Sequence, residues 1–508
     1  MDTSTPITTI GAALVIAVIL TWLVKRISAK KYKFPPRVPG IPFFGNTFQL
    51  GVFQQGQWAQ KQARKYGEMF TCTIGGNQWV FLNSTRVVYD LLDRRAAIYS
   101  SRPEQPMTQE IMSGGNRIVM MAYGERWRAV RKVMHQILNI RSKDLYKDFQ
   151  ELESIQLLHE YLQTPEKWYL SNQRYSNAVM LSVVFGRRAQ LDDPQIAELF
   201  ATSNEFLENL QPGYNLVDGY PQLAKLPQFL QWWRPRGERA YHRTISVYRR
   251  EVNRLKESVK KGTAKPCFGV DFLKAAEHSD FDEAQKLFTL GSLLEAGSDT
   301  SRITVSQVLA AAATYPDWVE RAREQLDRVC GYNAERLPTL DDRDELPYMT
   351  AVTKEAFRWR PFAEIGVPHV LTQDDEYEGY KFPAGTVFTW NAYAIALNPD
   401  EYDQPERFWP ERFMNDDLNS PLKGHYAFGA GRRICAGYNV GETNVWIVAA
   451  RLLYCFDFKE NPGKPIDTFG APWQRHDAPP VHVDISPRSH QHAALIERAF
   501  KAAFADGL

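Results

Sequence analysis

The stretch that decides the fold is Phe428-Gly429-Ala430-Gly431-Arg432-Arg433-Ile434-Cys435-Ala436-Gly437. Three glycines in nine residues permit turns and close backbone approach that a Cβ forbids. A helical pattern follows over Val440–Phe458, so Cys435 sits near a helix N-terminus. Backbone N–H groups and the helix dipole there favour thiolate over thiol, and Arg432 and Arg433 add positive charge. Thiolate is the form that binds iron, and N–H donors to the sulfur tune that bond. A purely structural turn and a thiolate that holds a metal both fit the residues of this stretch.

Working outward, the other four cysteines, Cys72, Cys267, Cys330 and Cys455, are scattered, and no CxxC pair occurs. An odd total without pairing argues against a disulfide framework or a zinc knuckle and for a reducing compartment. A net charge of +2 over 508 residues carries no polyelectrolyte signal for nucleic acid, so no such partner is expected and any electrostatic recognition must be local.

The apolar run from Ile7 to Val24 is long enough for a transmembrane helix. Asp2 precedes it, whereas Lys25, Arg26, Lys30, Lys31 and Lys33 follow. That order disfavours a cleaved signal peptide and keeps the positive end, with the body, in the cytosol. Residues 1–33 therefore read as an anchor with its basic stop. The segment 34–42, holding Pro35, Pro36, Pro39 and Pro42, reads as a stiff spacer, 43–490 as one catalytic domain and 491–508 as a tail.

The domain's texture is mainly α with small peripheral β-sheets. Helical spacing covers 117–138, 144–162, 195–210, 236–261, 282–313, 317–329 and 348–360. Short strands are expected at 67–73, 78–82, 380–382, 387–390 and 481–485.

The pattern Phe-x-x-Gly-x-Arg-x-Cys-x-Gly, met at Phe428, Gly431, Arg433, Cys435 and Gly437, resembles the haem-binding signature of the cytochrome P450 family. The resemblance covers about residues 35–490 and implies that fold, haem b as cofactor and Cys435 as axial ligand of its iron. It places Phe428 and Gly437 around the cofactor, and Trp127, Arg131, His369 and Arg433 on its propionates. Glu355 and Arg358, one helical turn apart, with Arg412 of Pro410-Glu411-Arg412-Phe413, resemble the family's structural ion-pair cluster.

Within the 282–313 pattern, Ala296-Gly297-Ser298-Asp299-Thr300-Ser301 is odd for a helix interior: Gly297 costs roughly 1 kcal/mol against Ala, and Thr300 can bond back to Ala296. A harmless kink or a groove admitting dioxygen both fit the residues. The stretch resembles the family's acid–alcohol motif, which implies that Asp299 and Thr300 deliver protons to iron-bound oxygen. Retention of that pair disfavours a haem-thiolate isomerase or dehydratase, and a non-enzymatic haem binder would need neither residue.

By the same resemblance Ala296, Phe362, Glu364 and Ile365 line an apolar substrate pocket, with Glu364 either bonding a polar substrate group or solvated. The loop wording resembles ascomycete fungal members of secondary metabolism that hydroxylate small hydrophobic or aromatic molecules. A dinucleotide fingerprint with strand and helix context is missing, so electrons are expected from an NADPH-cytochrome P450 reductase. Arg128, Arg131, Lys132, Lys423 and Arg432 can dock its acidic surface. The expected setting is the endoplasmic reticulum membrane, single-pass and in contact with lipid, with dioxygen as co-substrate.

Overall fold

A helix of 32 residues, Glu283–Thr314, forms the axis around which the chain is packed. Asp282 caps its start by accepting from the Gln285 N–H at 2.7 Å. Tyr315, held off the α region ahead of Pro316, ends it. This central helix is buried on nearly every side, against the helices Trp168–Phe185, Tyr438–Cys455 and Arg234–Lys261. Small residues on it make the close approaches possible. A Cβ at Gly291 would overlap the Tyr248 ring, and one at Gly297 would overlap Met180.

The structure is a computed structural model describing residues 31–505 apart from 43, 52–53, 139–142, 189–193, 212 and 476–477. Around the helical core the described residues form three small sheets. In the largest, Met69–Ile74 pairs antiparallel with Asn77–Leu82, which pairs in parallel with Val387–Trp390. The short strand His369–Val370 closes it, with His369 opposite Phe388. The other two sheets join Asp375–Tyr377 with Tyr380–Phe382, and Phe456–Glu460 with Val483–Pro487.

Three expectations are corrected. Residues 117–124 are not helical, and the helix there is Glu125–Ile137. The carbonyls of Ile118, Val119 and Met121 accept instead from arginine side chains. The pattern Val440–Phe458 divides into the helix Tyr438–Cys455 and a strand starting at Phe456. The expected tail, 491–508, is part of the body over its described residues: His490–Ala503 is a helix that packs Leu495 and Ile496 into the main core, against the helix Lys143–Gln163. The apolar run 7–24 lies outside the described residues, and among those described no helix is long and apolar enough to cross a membrane.

Candidate active site

The cysteine loop is held from both ends. The Cys435 N–H donates to the Phe428 carbonyl at 2.8 Å, and the Gly431 N–H to Asp93 at 2.8 Å. Gly431 has φ +61 and passes so near the Leu92 carbonyl that a Cβ would overlap it. The Phe428 ring wedges among Phe357, His425 and Tyr438. Behind the loop, Arg358 donates to both Glu355 oxygens at 2.7 Å, and Arg412 reaches the same carboxylate at 3.2 Å. The Trp409 N–H also donates to it, and the Arg358 guanidinium donates onward to the Pro405 and Arg407 carbonyls. The cluster named from sequence is thus one buried network that fixes the segment leading to the cysteine.

Cys435 lies deep in the fold, yet its side chain is accessible. Burial pushes its thiol up; the Gly437 N–H and the Arg131 charge oppose that. The expected thiolate stabilisation by Arg432 and Arg433 is not what the structure shows. Arg432 is exposed and donates to the Tyr123 hydroxyl, and Arg433 points away to the Ser100 and Met121 carbonyls. Arg131, half-buried, donates to the Ile434 carbonyl beside the sulfur, so it is no free docking charge.

The central helix shows the matching feature. Between Leu287 and Ala312 every residue is buried except Ala296, Gly297 and Thr300. Thr300 donates to the Ala296 carbonyl at 3.2 Å. Gly297 serves the packing of Met180, whereas Ala296 and Thr300 present an accessible step. Asp299 is turned to the other side, where Arg302 lies at 2.9 Å. Burial pushes its carboxyl up to about 7, and the adjacent guanidinium opposes that push.

Basic groups converge beyond the cysteine. His369 donates from Nδ1 to the Tyr99 carbonyl at 2.7 Å, and its Nε2 is buried without a partner. Burial first, then the charges of Arg102 and Arg433, holds its pKa well below the usual histidine range. Arg102 donates to the Val119 and Val367 carbonyls, and Arg433 lies 4.3 Å over the Trp127 ring. Burial and the Arg131 charge bring Arg433 down to about 9. Among the described residues no carboxylate pairs with Arg102, Arg131 or Arg433. A dianionic group is the counter-charge this set calls for, and the two haem propionates supply that chemistry, so these residues fit the cofactor. Arg102 was not foreseen as part of the set, since an isolated loop arginine carries no spacing signal.

The pocket residues separate. Ala296 is accessible, and Phe362 and Glu364 line a small cavity with Arg360, Tyr393, Phe469 and Trp473. Ile365 is instead core, packed with Trp79 and Val387 under the large sheet. Glu364 accepts from the Gly56 N–H at 2.8 Å, a structural partner at the start of the helix Gln55–Tyr66.

This geometry, an accessible cysteine under a glycine-rich loop with an alcohol-bearing helix and an uncompensated basic cluster, is that of a haem-thiolate enzyme. The chain belongs to the cytochrome P450 family, whose model matches residues 35–475. It is 34% identical over 463 residues to cytochrome P450 monooxygenase fogE of Aspergillus ruber, covering 89% of this chain and 86% of that protein. It is 33% identical to virE of Hypocrea virens (95% and 91% covered) and 33% to verL of Clonostachys rogersoniana (99% and 95%). A zebra fish cytochrome P450 structure with abiraterone shares the fold at TM-score 0.68 and 23% identity, over 85% of this chain and 98% of that one. The protein is an oxygen-incorporating oxidoreductase with haem as its cofactor.

Proposed function

We propose that this monooxygenase hydroxylates a small, hydrophobic, aromatic molecule in fungal secondary metabolism, with electrons from a separate NADPH-cytochrome P450 reductase. The carrying observation is the accessible step at Ala296 and Thr300 in an otherwise buried helix, in the same fold as an accessible Cys435. Bound haem supplies activation of dioxygen on thiolate-ligated iron. The side chains do the rest. The Thr300 hydroxyl, free to swing from the Ala296 carbonyl, holds and passes a proton at its Oγ1. Asp299 reloads it once its carboxyl has swung away from Arg302, its partner on the far side. Phe362, Phe469 and Trp473 support a substrate with an aromatic face, and Arg360, Glu364 and Gln474 beside them suit a polar group on it.

Electron supply is supported by Arg128, Lys132, Lys423 and Arg432, all exposed. The endoplasmic reticulum membrane is supported by a surface that joins two apolar segments. Phe44 and Phe48 are exposed on a turn bonded to residues 73–75, and Gly75 abuts Gly219 of the segment that carries exposed Phe229, Leu230 and Trp232. The body then meets lipid through these exposed rings.

The test is the carbon monoxide difference spectrum of reduced protein beside Cys435→Ala, followed by turnover of small aromatics with and without reductase. The long-wavelength Soret band of thiolate ligation, lost in the variant, and reductase-dependent product are expected. Product formed without reductase would point to an isomerase or dehydratase instead.

A further inference from the structure

Buried beside the accessible step is an ion pair that the reaction does not use. Arg117 donates through Nε to Glu295 at 3.0 Å and through a terminal nitrogen at 2.8 Å, and its other terminal nitrogen donates to Ser113 at 2.9 Å. Both side chains are almost fully buried, at 1% and 6% exposure. The Tyr248 hydroxyl donates to the same carboxylate, and its ring lies across the central helix where Gly291 leaves room. The flat face of the guanidinium rests 3.6 Å over the Phe206 ring. Four elements meet here: the loop 112–124, the helices Pro194–Asn209 and Arg234–Lys261, and the central helix one residue before Ala296.

We propose that Arg117, Glu295 and Tyr248 are positioning residues that set the roof of the substrate cavity. The inference rests on the proposed reading that an aromatic substrate sits against the step at Ala296 and Thr300. An apolar trio of similar volume would hold such a junction as well or better. What an apolar trio lacks is direction. A fork that satisfies Glu295, Ser113 and the Phe206 face together admits one placement of the loop over the helix. The same loop carries the Ile118, Val119 and Met121 carbonyls that hold Arg102 and Arg433. The lock therefore also fixes the distance between cavity roof and the haem-holding cations.

The experiment uses the haem-loaded full chain and two iron-binding probes, imidazole and phenylimidazole, titrated by the Soret shift. Imidazole tests the iron alone, and phenylimidazole adds a ring that must fit the cavity. Arg117→Met, Arg117→Lys, Glu295→Gln and the double variant Arg117→Met/Glu295→Leu are compared with the parent protein. The parent should prefer phenylimidazole. The variants should keep the carbon monoxide band and imidazole affinity within about twofold but lose about tenfold for phenylimidazole, Arg117→Lys less than Arg117→Met. The double variant should regain Tm yet show the same loss. Unchanged preference in haem-loaded variants, or a double variant that regains both Tm and preference, overturns the proposal. No preference in the parent overturns the aromatic-cavity reading and this inference with it.

Discussion

At the scale of single residues, Glu355 and His425 make opposite kinds of demand. Glu355 is buried and doubly paired, so removing its charge leaves Arg358 buried without a counter-ion. Glu355→Gln should lower unfolding free energy by about 3–5 kcal/mol and reduce haem content, read by denaturant melts and haem absorbance. His425 is held neutral: burial first, then the Lys354 charge, brings it from 6.5 down to about 3. A depressed histidine gives stability that is full above its unfolded pKa and is lost as pH falls towards the folded one. Between pH 6.5 and about 3 the unfolded chain takes up a proton that the folded chain refuses. The expected loss is about 1.4 kcal/mol per pH unit inside that window. Urea melts at several acidic pH values should show a slope shallower by one proton in His425→Phe, and an unchanged slope would assign the effect elsewhere.

Among elements, the packing of the central helix against Trp168–Phe185 turns on one glycine. Gly297→Ala gains helix propensity of about 1 kcal/mol but sets a Cβ against Met180, and overpacking of that kind costs about 1–3 kcal/mol. The single variant should melt lower, and adding Met180→Ala should restore Tm. Two independent, additive losses in a double-mutant cycle would show that the contact does not limit the helix. The same helix pair shows why some of the fold was hard to foresee. Trp168–Phe185 is buried almost all round, so its sequence lacks the polar–apolar period that marks a surface helix. The helix Arg234–Lys261, with a clear apolar stripe, was legible to within two residues of its start. Short-range chemistry was legible too: the Cys435 loop and the Glu355–Arg358 turn sit at fixed spacings. Arg117 and Glu295 were not, because 178 residues separate partners that only the folded chain brings together. Arg432 and Arg433, adjacent in sequence, both promised charge to the sulfur, and only the fold shows that one lies outside and the other turns to the Ser100 and Met121 carbonyls.

For the whole molecule, the proposed membrane contact makes a separable prediction. The chain from Lys33 onward is tied to the body, since Lys33 exchanges backbone hydrogen bonds with Lys381. Deleting residues 1–30 should leave haem loading intact while membrane association falls only in part, by flotation with phospholipid vesicles. Adding Phe229→Ser and Trp232→Ser should release the remainder. Full release by the deletion alone would assign all lipid contact to the anchor.

The largest sheet joins strands from opposite ends of the chain: Trp79–Leu82 lies in parallel beside Val387–Trp390, about 300 residues later. At roughly 5–20 residues per second of synthesis, the early hairpin waits about 15–60 s for its partner. Throughout that wait one ribbon edge is a template for any other extended chain. Ribosome pausing, chaperone supply and expression temperature thus act on this protein chiefly through the interval between two strands.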